Sequence, residues 1–386
     1  MTSTVEPTAA QARNTNLDAV RGVAVLGILG MNAVSYGLEP SAYFNIDAGG
    51  SESWLDWAIG AAGEIFFDQK FMGLFSLLFG AGIVLFAERA AARGRRPVLF
   101  SLWRNGLLLA IGIGHSLVWD GDILVVYALC APVLIGLRGL APRTLVVMGT
   151  LFVLSSAAVA VVAQSSVGST GAGVGDGYWF EEGTLSDAVG LWLIGDFFVR
   201  ALGMMLIGVA LYRTGVITGE RSDEYYRRMA RYGLGLGVPL AAAGFVWVAA
   251  RDFSGDVAAI GSVPNTIATI PVVLGYFALI TLWNRGRRAA GGGLVSRVRA
   301  AGRMALTNYL AQTVLGVIIL RGWFDPTDLT RSDLAVFILA VWAVELWWSE
   351  AWLARYRYGP AEWLWRSGTY RRCQPLRREL EGAGGR

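Results

Sequence analysis

The chain is poor in the residues that bind metals and redox cofactors. Its 386 residues include one histidine (His115), two cysteines (Cys130 and Cys373) and one lysine (Lys70). A single histidine cannot ligate a bis-histidine haem, and two cysteines without a C-x-x-C motif do not supply a zinc or iron–sulfur site. Cys130 lies in an apolar run and Cys373 in an arginine-rich tail, which does not favour a disulfide. We therefore expect no metal and no haem.

Charged residues are also scarce. They make up 16% of the chain, against about 25% in an average soluble domain. Hydrophobic residues make up 54%, and the mean hydropathy is +0.49. Because a membrane-spanning helix needs about 20 mostly apolar residues, these proportions predict an all-α polytopic membrane helix bundle with about ten transmembrane helices. Apolar runs of helix length occur at 17–38, 70–88, 98–118, 122–138, 143–164, 187–212, 232–250, 257–284, 303–321 and 333–354.

The segments between these runs alternate in charge. Arginines are concentrated in the segments 89–96, 138–143, 213–231, 285–299 and 355–378. Carboxylates are concentrated in the segments 39–68, 120–122, 176–187, 252–256 and 325–333. Basic loops face the cytoplasm, so both termini are predicted to be cytoplasmic. This gives an N-terminal tail (1–16), a transmembrane bundle (17–354) and a basic C-terminal tail (355–386) in the plasma (inner) membrane.

Ionisable residues inside an apolar run are candidates for function, because burying them is costly. Asp18 and Arg21 open the first run and share a helix face, so they can pair. Arg21 can also lie at the interface as a snorkelling side chain, or it can bind a phosphate or carboxylate at the cytoplasmic mouth. Asn32 lies about 16 Å further along the same helix.

His115 ends the third run, just before a turn that contains Asp120 and Asp122. A lone histidine is often a hydrogen-bonded structural residue. A carboxylate beside it can instead orient the imidazole and raise its basicity, which is the arrangement of a general base. Both interpretations stay open at this point.

Asp196 and Arg200 are four residues apart in the sixth run, in the order that favours an intrahelical ion pair. Arg200 lies about 20 Å from the cytoplasmic Arg213 along the helix. A lipid-facing arginine at that depth would be costly. We therefore expect Arg200 to face the interior of the bundle, with a structural or a substrate-binding role.

Two further polar positions lie in the last two runs. Asn308 and Gln312 form an i, i+4 stripe just after Arg303, and Glu345 lies about ten residues into the membrane from Arg355. The stripe can hold helices together through hydrogen bonds. Since polar groups occur on five different runs, a polar cavity in the core of the bundle is the alternative.

Five sequence blocks resemble the YeiB family of bacterial multi-pass membrane proteins, and the resemblance extends from about residue 17 to 372. The blocks are LDAVRGVAVLGILGMN (17–32), KFMGLFSLLFGAGIVL (70–85), IGIGHSLVWDGDILVVYAL (111–129), GRMALTNYLAQT (302–313) and GPAEWLWR (359–366). The glycines of the second block are expected to serve close helix packing.

The YeiB family is in turn similar to transmembrane acyltransferases that include heparan-alpha-glucosaminide N-acetyltransferase. Those enzymes pass an acyl group from cytoplasmic acyl-CoA to an acceptor on the far side of the membrane. Asp18, Arg21, Gly22 and Asn32 match their D-x-x-R-G pattern and the asparagine that follows it. The acetyltransferases carry a catalytic histidine shortly after the first span, and residues 33–69 of this chain contain none. Acyl transfer would then depend on His115, or the chemistry differs.

Two functions follow as hypotheses. The first is an acyltransferase with acyl-CoA as donor and an outer-side sugar, lipid or small molecule as acceptor. The second is a transporter or lipid-handling protein with a polar core. We expect membrane lipids as partners, allow for a homodimer, and expect no nucleic acid. The site assignments are catalytic His115, Asp122 and Asn32; cofactor-binding Asp18, Arg21, Arg303, Asn308 and Gln312; and core polar Asp196, Arg200 and Glu345.

Overall fold

The computed structural model describes residues 14–170, 187–286 and 293–378. No β-strand occurs within these ranges, which contain only one isolated β-bridge. The α-helices are α1 (Thr15–Gly37), α2 (Trp54–Ala62), α3 (Lys70–Ala91), α4 (Pro97–Ser116), α5 (Leu124–Leu137), α6 (Pro142–Thr170), α7 (Asp187–Arg213), α8 (Asp223–Ala249), α9 (Ser262–Gly286), α10 (Leu294–Arg303), α11 (Ala305–Gly316), α12 (Arg331–Arg355) and α13 (Pro360–Tyr370).

Eight helical segments in the described ranges are long and apolar enough to cross a membrane. They are α1, the run Trp54–Ala91 that contains α2 and α3, α4, α6, α7, α8, α9 and α12. The prediction of an all-α polytopic membrane bundle is confirmed. Inner and outer below refer to the orientation predicted from the loop charges.

Two of the predicted spans differ from simple transmembrane helices. The run 122–138 forms α5, whose 14 residues cover about 21 Å, less than the roughly 30 Å hydrocarbon core. Polar residues bound this helix, because Asp122 accepts a hydrogen bond from the Val125 amide at its start and Arg138 follows its last residue. The run 303–321 belongs to a helix pair that is bent by 87° between α10 and α11. Counting that pair as one span gives nine.

The segment 39–69, predicted as an acidic outer loop, contains a helix of its own. α2 begins with a capping box in which Ser53 and Asp56 bond to each other's backbone amides. Asp56 also accepts a hydrogen bond from the Ser332 amide at 2.8 Å, so this carboxylate ties α2 to the start of α12. A π-helical turn, Gly63–Phe67, then leads to Gln69, whose φ of 63° breaks the helix before α3.

α1 is largely buried and packs against α3, α9, α10, α11 and α12. It crosses α10 at Gly22 and Gly302, where a Cβ on Gly302 would overlap the Asp18 carbonyl oxygen. α3 crosses α7 in the same way, since a Cβ on Gly80 would overlap the backbone of Met205. The prediction that glycines of the second sequence block serve close helix packing is therefore confirmed.

The predicted C-terminal tail contains α13, which packs on the inner end of α4. The indole N–H of Trp365 donates to the Arg104 carbonyl at 2.8 Å, and that of Trp103 donates to the Gly368 carbonyl at 3.1 Å. Several predictions fall outside the described residues. They concern the tail segments 1–13 and 379–386, the acidic residues Asp176, Glu181 and Glu182, and the arginines Arg287 and Arg288.

Candidate functional site

His115 and Asp122 form a buried pair where α4 ends and α5 begins. Nδ1 of His115 lies 2.7 Å from Oδ1 of Asp122, and the two side chains are 5% and 1% exposed. The second oxygen of Asp122 accepts the Val125 amide at 2.9 Å, which fixes the carboxylate. Asp120, the other carboxylate of this turn, is exposed. The structure thus brings His115 and Asp122 together.

The contacts of His115 define its tautomer. A carboxylate accepts hydrogen bonds, so Nδ1 is assigned the proton, and in a neutral imidazole Nε2 then carries the lone pair. Nε2 is buried and has no hydrogen-bond partner among the described residues. The ring of Tyr309 lies 5.1 Å from the imidazole, and its hydroxyl donates to Oδ1 of Asp122 at 3.4 Å. A neutral imidazole held in this way can accept a proton at Nε2.

Asn32 belongs to the polar surroundings of His115 without touching it. The hydroxyl of Tyr36, one turn further along α1, interacts with Asn32 and lies 2.9 Å from Oγ1 of Thr313. The Tyr36 ring packs edge-on against Trp119 at 4.8 Å, and Trp119 in turn lies 6.0 Å from His115. Asn32 is therefore connected to His115 through two aromatic rings.

Asn308, Gln312 and Glu345 are fully buried between α1, α11 and α12. Asn308 accepts the indole N–H of Trp348 at 2.8 Å. Gln312 donates to the Val25 carbonyl and to Glu345, both at 3.0 Å. These bonds link helices and give Glu345 the partner that the sequence required. A contribution of Asn308 and Gln312 to a cofactor site stays a prediction.

The three other residues predicted at the inner mouth lie on α1 and α10. Asp18 is 4% exposed, and Arg21 is half-buried one turn further along α1. Arg303 ends α10 and donates to the Arg357 carbonyl at 3.4 Å. Because Gly302 packs on the backbone of Asp18, the end of α10 lies beside the start of α1.

Two arginines at this inner end, Arg104 and Arg366, were not among the residues predicted at the mouth, whereas Arg21 was. The guanidinium of Arg104 lies between the rings of Phe86, at 4.6 Å, and Trp365, at 4.0 Å. The positive charges of Arg21 and Arg366 act on it. Neither Arg104 nor Arg366 forms a salt bridge within the described ranges. We call Arg21, Arg104 and Arg366 the arginine cluster. The position of Arg104 inside the apolar run 98–118 was the available signal.

α13 also holds the bend between α10 and α11. One carboxylate oxygen of Glu362 accepts the amides of Leu306, at 2.7 Å, and Thr307, at 3.1 Å. The other accepts the Thr307 hydroxyl at 2.6 Å. Glu362 therefore caps the first turn of α11, a favourable place for a negative charge. Gly359 leaves the space for this contact, since a Cβ there would lie 2.6 Å from the Thr307 hydroxyl.

On the outer side, a cavity of about 140 Å³ lies beside the break between α2 and α3. Glu64, Asp68, Arg200 and Asn265 are among the residues that line it. Lys70 is fully buried and donates to Asn265 and, at 2.9 Å, to the Glu64 carbonyl. Asn265 donates to Asp68 at 2.9 Å. In the sequence, Glu64 and Asp68 belong to the carboxylate-rich segment 39–68, and Lys70 is the one lysine of the chain.

Arg200 joins this cavity from α7. It pairs with Asp196, which also accepts the Ser156 hydroxyl. The Arg200 side chain lies in the interior of the bundle, where the residue is 8% exposed, and its Nε has no partner among the described residues. The two core polar residues predicted on this helix therefore border the cavity. They are separate from His115.

Comparison with known proteins identifies a matching family and several similar proteins. A family described as "Protein of unknown function (DUF418)" matches residues 211–372. The uncharacterized protein YxaH of Bacillus subtilis (strain 168) is 28% identical over 98% of this chain and 100% of its own length. An uncharacterized 39.9 kDa protein from the amylase 3' region of Bacillus acidopullulyticus is 25% identical over 96% and 98%. No solved structure matches the chain.

The strongest of these three similarities covers almost the whole of both proteins. The uncharacterized protein YeiB of Escherichia coli (strain K12) is 33% identical over 94% of this chain and 98% of its own length. Arg366, Glu362 and the start of α11 that Glu362 caps lie inside the matched DUF418 region, whereas Arg21 and Arg104 lie outside it. The chain belongs to the YeiB family of multi-pass membrane proteins.

Proposed function

We propose that this protein is a bacterial membrane acyltransferase. It would take an acyl group from cytoplasmic acyl-CoA and transfer it to a hydroxyl or amine acceptor that arrives from the outer side. The observation that carries the proposal is the His115–Asp122 pair, 2.7 Å apart, with Nε2 of His115 buried and unpartnered within the described ranges. This is the arrangement of an oriented general base.

The chemical steps follow from that geometry. Nε2 of His115 takes the proton of the acceptor, whose oxygen or nitrogen bonds to the thioester carbonyl carbon. Asp122 stabilises the resulting imidazolium, as a carboxylate does for histidine in hydrolytic triads. The tetrahedral intermediate then breaks its C–S bond, and the departing thiolate takes the proton from His115. The acceptor is acylated and His115 is neutral again.

α4 carries both groups that this reaction needs, a phosphate-binding arginine and a general base. Arg104 lies near its inner end and His115 at its outer end, eleven residues or about 16 Å apart. Arginine is well suited to phosphate, because its planar fork forms paired hydrogen bonds, and it stacks on aromatic rings. The arginine cluster is therefore our candidate for the CoA phosphates, with the pantetheine arm and acyl group directed along α4 toward His115.

A thiol-release assay tests this proposal. The protein in lipid nanodiscs would be given acetyl-CoA or palmitoyl-CoA, and free CoA would be measured with a thiol reagent on a background without Cys130 and Cys373. Water suffices as a slow acceptor, so hydrolysis should exceed that of the His115→Gln variant. Equal rates for the two proteins, together with no binding of either thioester, would overturn the proposal.

The mechanism also requires the predicted orientation, with both termini in the cytoplasm. Single cysteines that replace Asp47 or Asp328 should react with an impermeant thiol reagent in intact cells. Those that replace Arg93 or Arg221 should react only after the cells are opened, because basic loops remain inside. The reverse pattern would place His115 on the cytoplasmic side and exclude transfer across the membrane.

One observation favours the second hypothesis, a transporter. The outer cavity lies at a discontinuous helix, where the π-helical turn Gly63–Phe67 and the left-handed Gln69 precede α3. Broken helices with buried charged residues form the substrate sites of many transporters. Uptake of a small solute into proteoliposomes, without any thiol release from acyl-CoA, would favour this function over acyl transfer.

A further inference from the structure

The outer cavity contains an acceptor group that the surrounding protein leaves unused. The carboxylate of Glu64 lines the cavity, and no described residue donates a hydrogen bond to it. Asp68 differs, because Asn265 donates a hydrogen bond to it, whereas Lys70 acts electrostatically on both carboxylates. Carboxylate oxygens that receive no hydrogen bond from the protein can accept hydrogen bonds from a ligand, either from an ammonium group or from hydroxyls.

Arg200 supplies a second, independent sign of a ligand. It is 8% exposed, lines the same cavity and leaves its Nε without a partner among the described residues. Buried polar groups are nearly always bonded, so an orphaned N–H beside a cavity indicates an occupant that offers an acceptor. The cavity thus requires donors near Glu64 and an acceptor near Arg200.

The charged side chains that line the cavity indicate whether its occupant is cationic or anionic. Of the charged side chains that line the cavity, three are carboxylates (Glu64, Asp68 and Asp196) and one is a cation (Arg200), so the wall itself is acidic. Lys70 and Arg331 lie outside this lining and act on Glu64 electrostatically. A divalent metal is not favoured, because no group of three or more metal-ligating side chains occurs within the described ranges. Aromatic rings complete the wall and suit an organic cation: Tyr43, Phe44, Phe197, Phe245 and Phe253.

We propose that this cavity is a binding site for a small primary ammonium compound that carries a hydrogen-bond acceptor at its other end. Its ammonium group binds Glu64, and its acceptor takes the N–H of Arg200. An engineered cavity of about 150 Å³ holds benzene, so the observed 140 Å³ suits a compound of amino-alcohol size. The site stands independently of acyl transfer, since none of these residues contacts His115.

A series of probes of equal size tests the proposal on the unaltered protein. Ethanolamine, ethylene glycol and glycolate differ mainly in charge, being cationic, neutral and anionic. Binding to the folded state raises thermal stability in a saturable way. We expect such a rise in nanodiscs with ethanolamine and none with the other two at equal concentration and ionic strength. An equal response to ethylene glycol, a response to glycolate alone, or no response to any probe would overturn the proposal.

A matched pair of variants assigns the response to Glu64. Glu64→Gln keeps the shape of the side chain and removes its charge, and we expect at least a tenfold loss of affinity for ethanolamine. Asp328→Asn removes an exposed outer carboxylate away from the cavity and should leave the affinity unchanged. Retained affinity in Glu64→Gln would overturn the assignment. If that variant does not fold, the charge series on the unaltered protein still decides the question.

Discussion

The polar side chains at the two ends of α4 have different partners. At the outer end, His115 has one carboxylate partner and one nitrogen without a partner among the described residues. At the inner end, the guanidinium of Arg104 contacts two aromatic rings and forms no salt bridge with a carboxylate within the described ranges. In the proposed function, the outer arrangement serves as a general base and the inner arrangement binds an anion.

In the middle of the bundle, polar side chains form hydrogen bonds between helices. Asn308 and Gln312 donate to or accept from groups on neighbouring helices, so their amides connect α11 with α1 and α12. Hydrogen bonds of this kind hold a membrane bundle together. Gln312 Oε1 and Glu345 Oε1 are nevertheless buried without a partner among the described residues, so an unpartnered atom alone does not mark a candidate for chemistry.

Substitution of His115 should give the largest effect. A general base contributes about 10²–10⁴-fold to rate, so His115→Gln should lower thiol release from acyl-CoA by that factor while CoA binding at the other end of α4 persists. Kinetics and isothermal titration on the same preparation measure the two quantities. Unchanged turnover would make His115 a structural residue and remove the difference between the two ends.

Asp122→Asn sharpens the assignment of the base. The asparagine keeps the shape at 2.7 Å from Nδ1 but can donate to that nitrogen, which would favour the wrong tautomer of His115. We expect a partial loss of turnover, smaller than that of His115→Gln. Asp120→Asn is the matched control, since Asp120 belongs to the same turn and is exposed. Equal losses in both variants would contradict the role of Asp122.

Substitution of Arg104 should act on binding instead of turnover. Arg104→Ala removes a stacked guanidinium from the arginine cluster, and we expect a roughly tenfold to hundredfold weaker affinity for CoA, in line with loss of a charge-assisted contact. Arg104→Lys should restore little, because lysine has no planar group to place between Phe86 and Trp365. Arg355→Ala, an exposed arginine, is the control. An unchanged affinity in Arg104→Ala would place the CoA site elsewhere.

The sequence predicted those features that depend on a single helix and the turn that follows it. Hydropathy located most spans to within a few residues, and the short turn after His115 predicted its contact with a nearby carboxylate. The choice between Asp120 and Asp122 required three dimensions, because the two differ only in the direction that a turn gives them. The apolar run 122–138 predicted a full span, yet α5 covers only Leu124–Leu137, which is 14 residues.

Contacts between distant segments were beyond sequence reasoning. Arg104 and Trp365 are 261 residues apart, yet α13 places them together. The outer cavity likewise depends on Glu64, Arg200 and Asn265, which three separate helical segments contribute. Periodicity describes the faces of one helix and does not say which helices meet. The single lysine of the chain, Lys70, stands near Glu64 and Asp68 in the sequence, and this was the local sign of that cavity.

The cap that α13 places on α11 should give a moderate effect on stability. Glu362→Ala leaves the amides of Leu306 and Thr307 without their acceptor, and we expect a loss of about 1–3 kcal/mol in the free energy of unfolding. Glu350→Ala is the control, since Glu350 pairs with Arg297 at an exposed site where such pairs contribute about 0–1 kcal/mol. Equal losses in chemical denaturation of the two variants would contradict a capping role.

The pH dependence of this cap should be the smallest effect. Burial raises the pKa of Glu362 above its ordinary value, against the hydrogen bonds from Thr307 that lower it. The folded state therefore holds the proton more tightly than the unfolded state. Its contribution to stability is fully present below the ordinary glutamate pKa and is lost as the pH rises through the raised pKa. Glu362→Gln cannot ionise, so the difference in free energy of unfolding between it and the unaltered protein should change across that interval and be constant outside it. A difference that does not vary between pH 4 and 8 would show that the hydrogen bonds of the cap offset its burial.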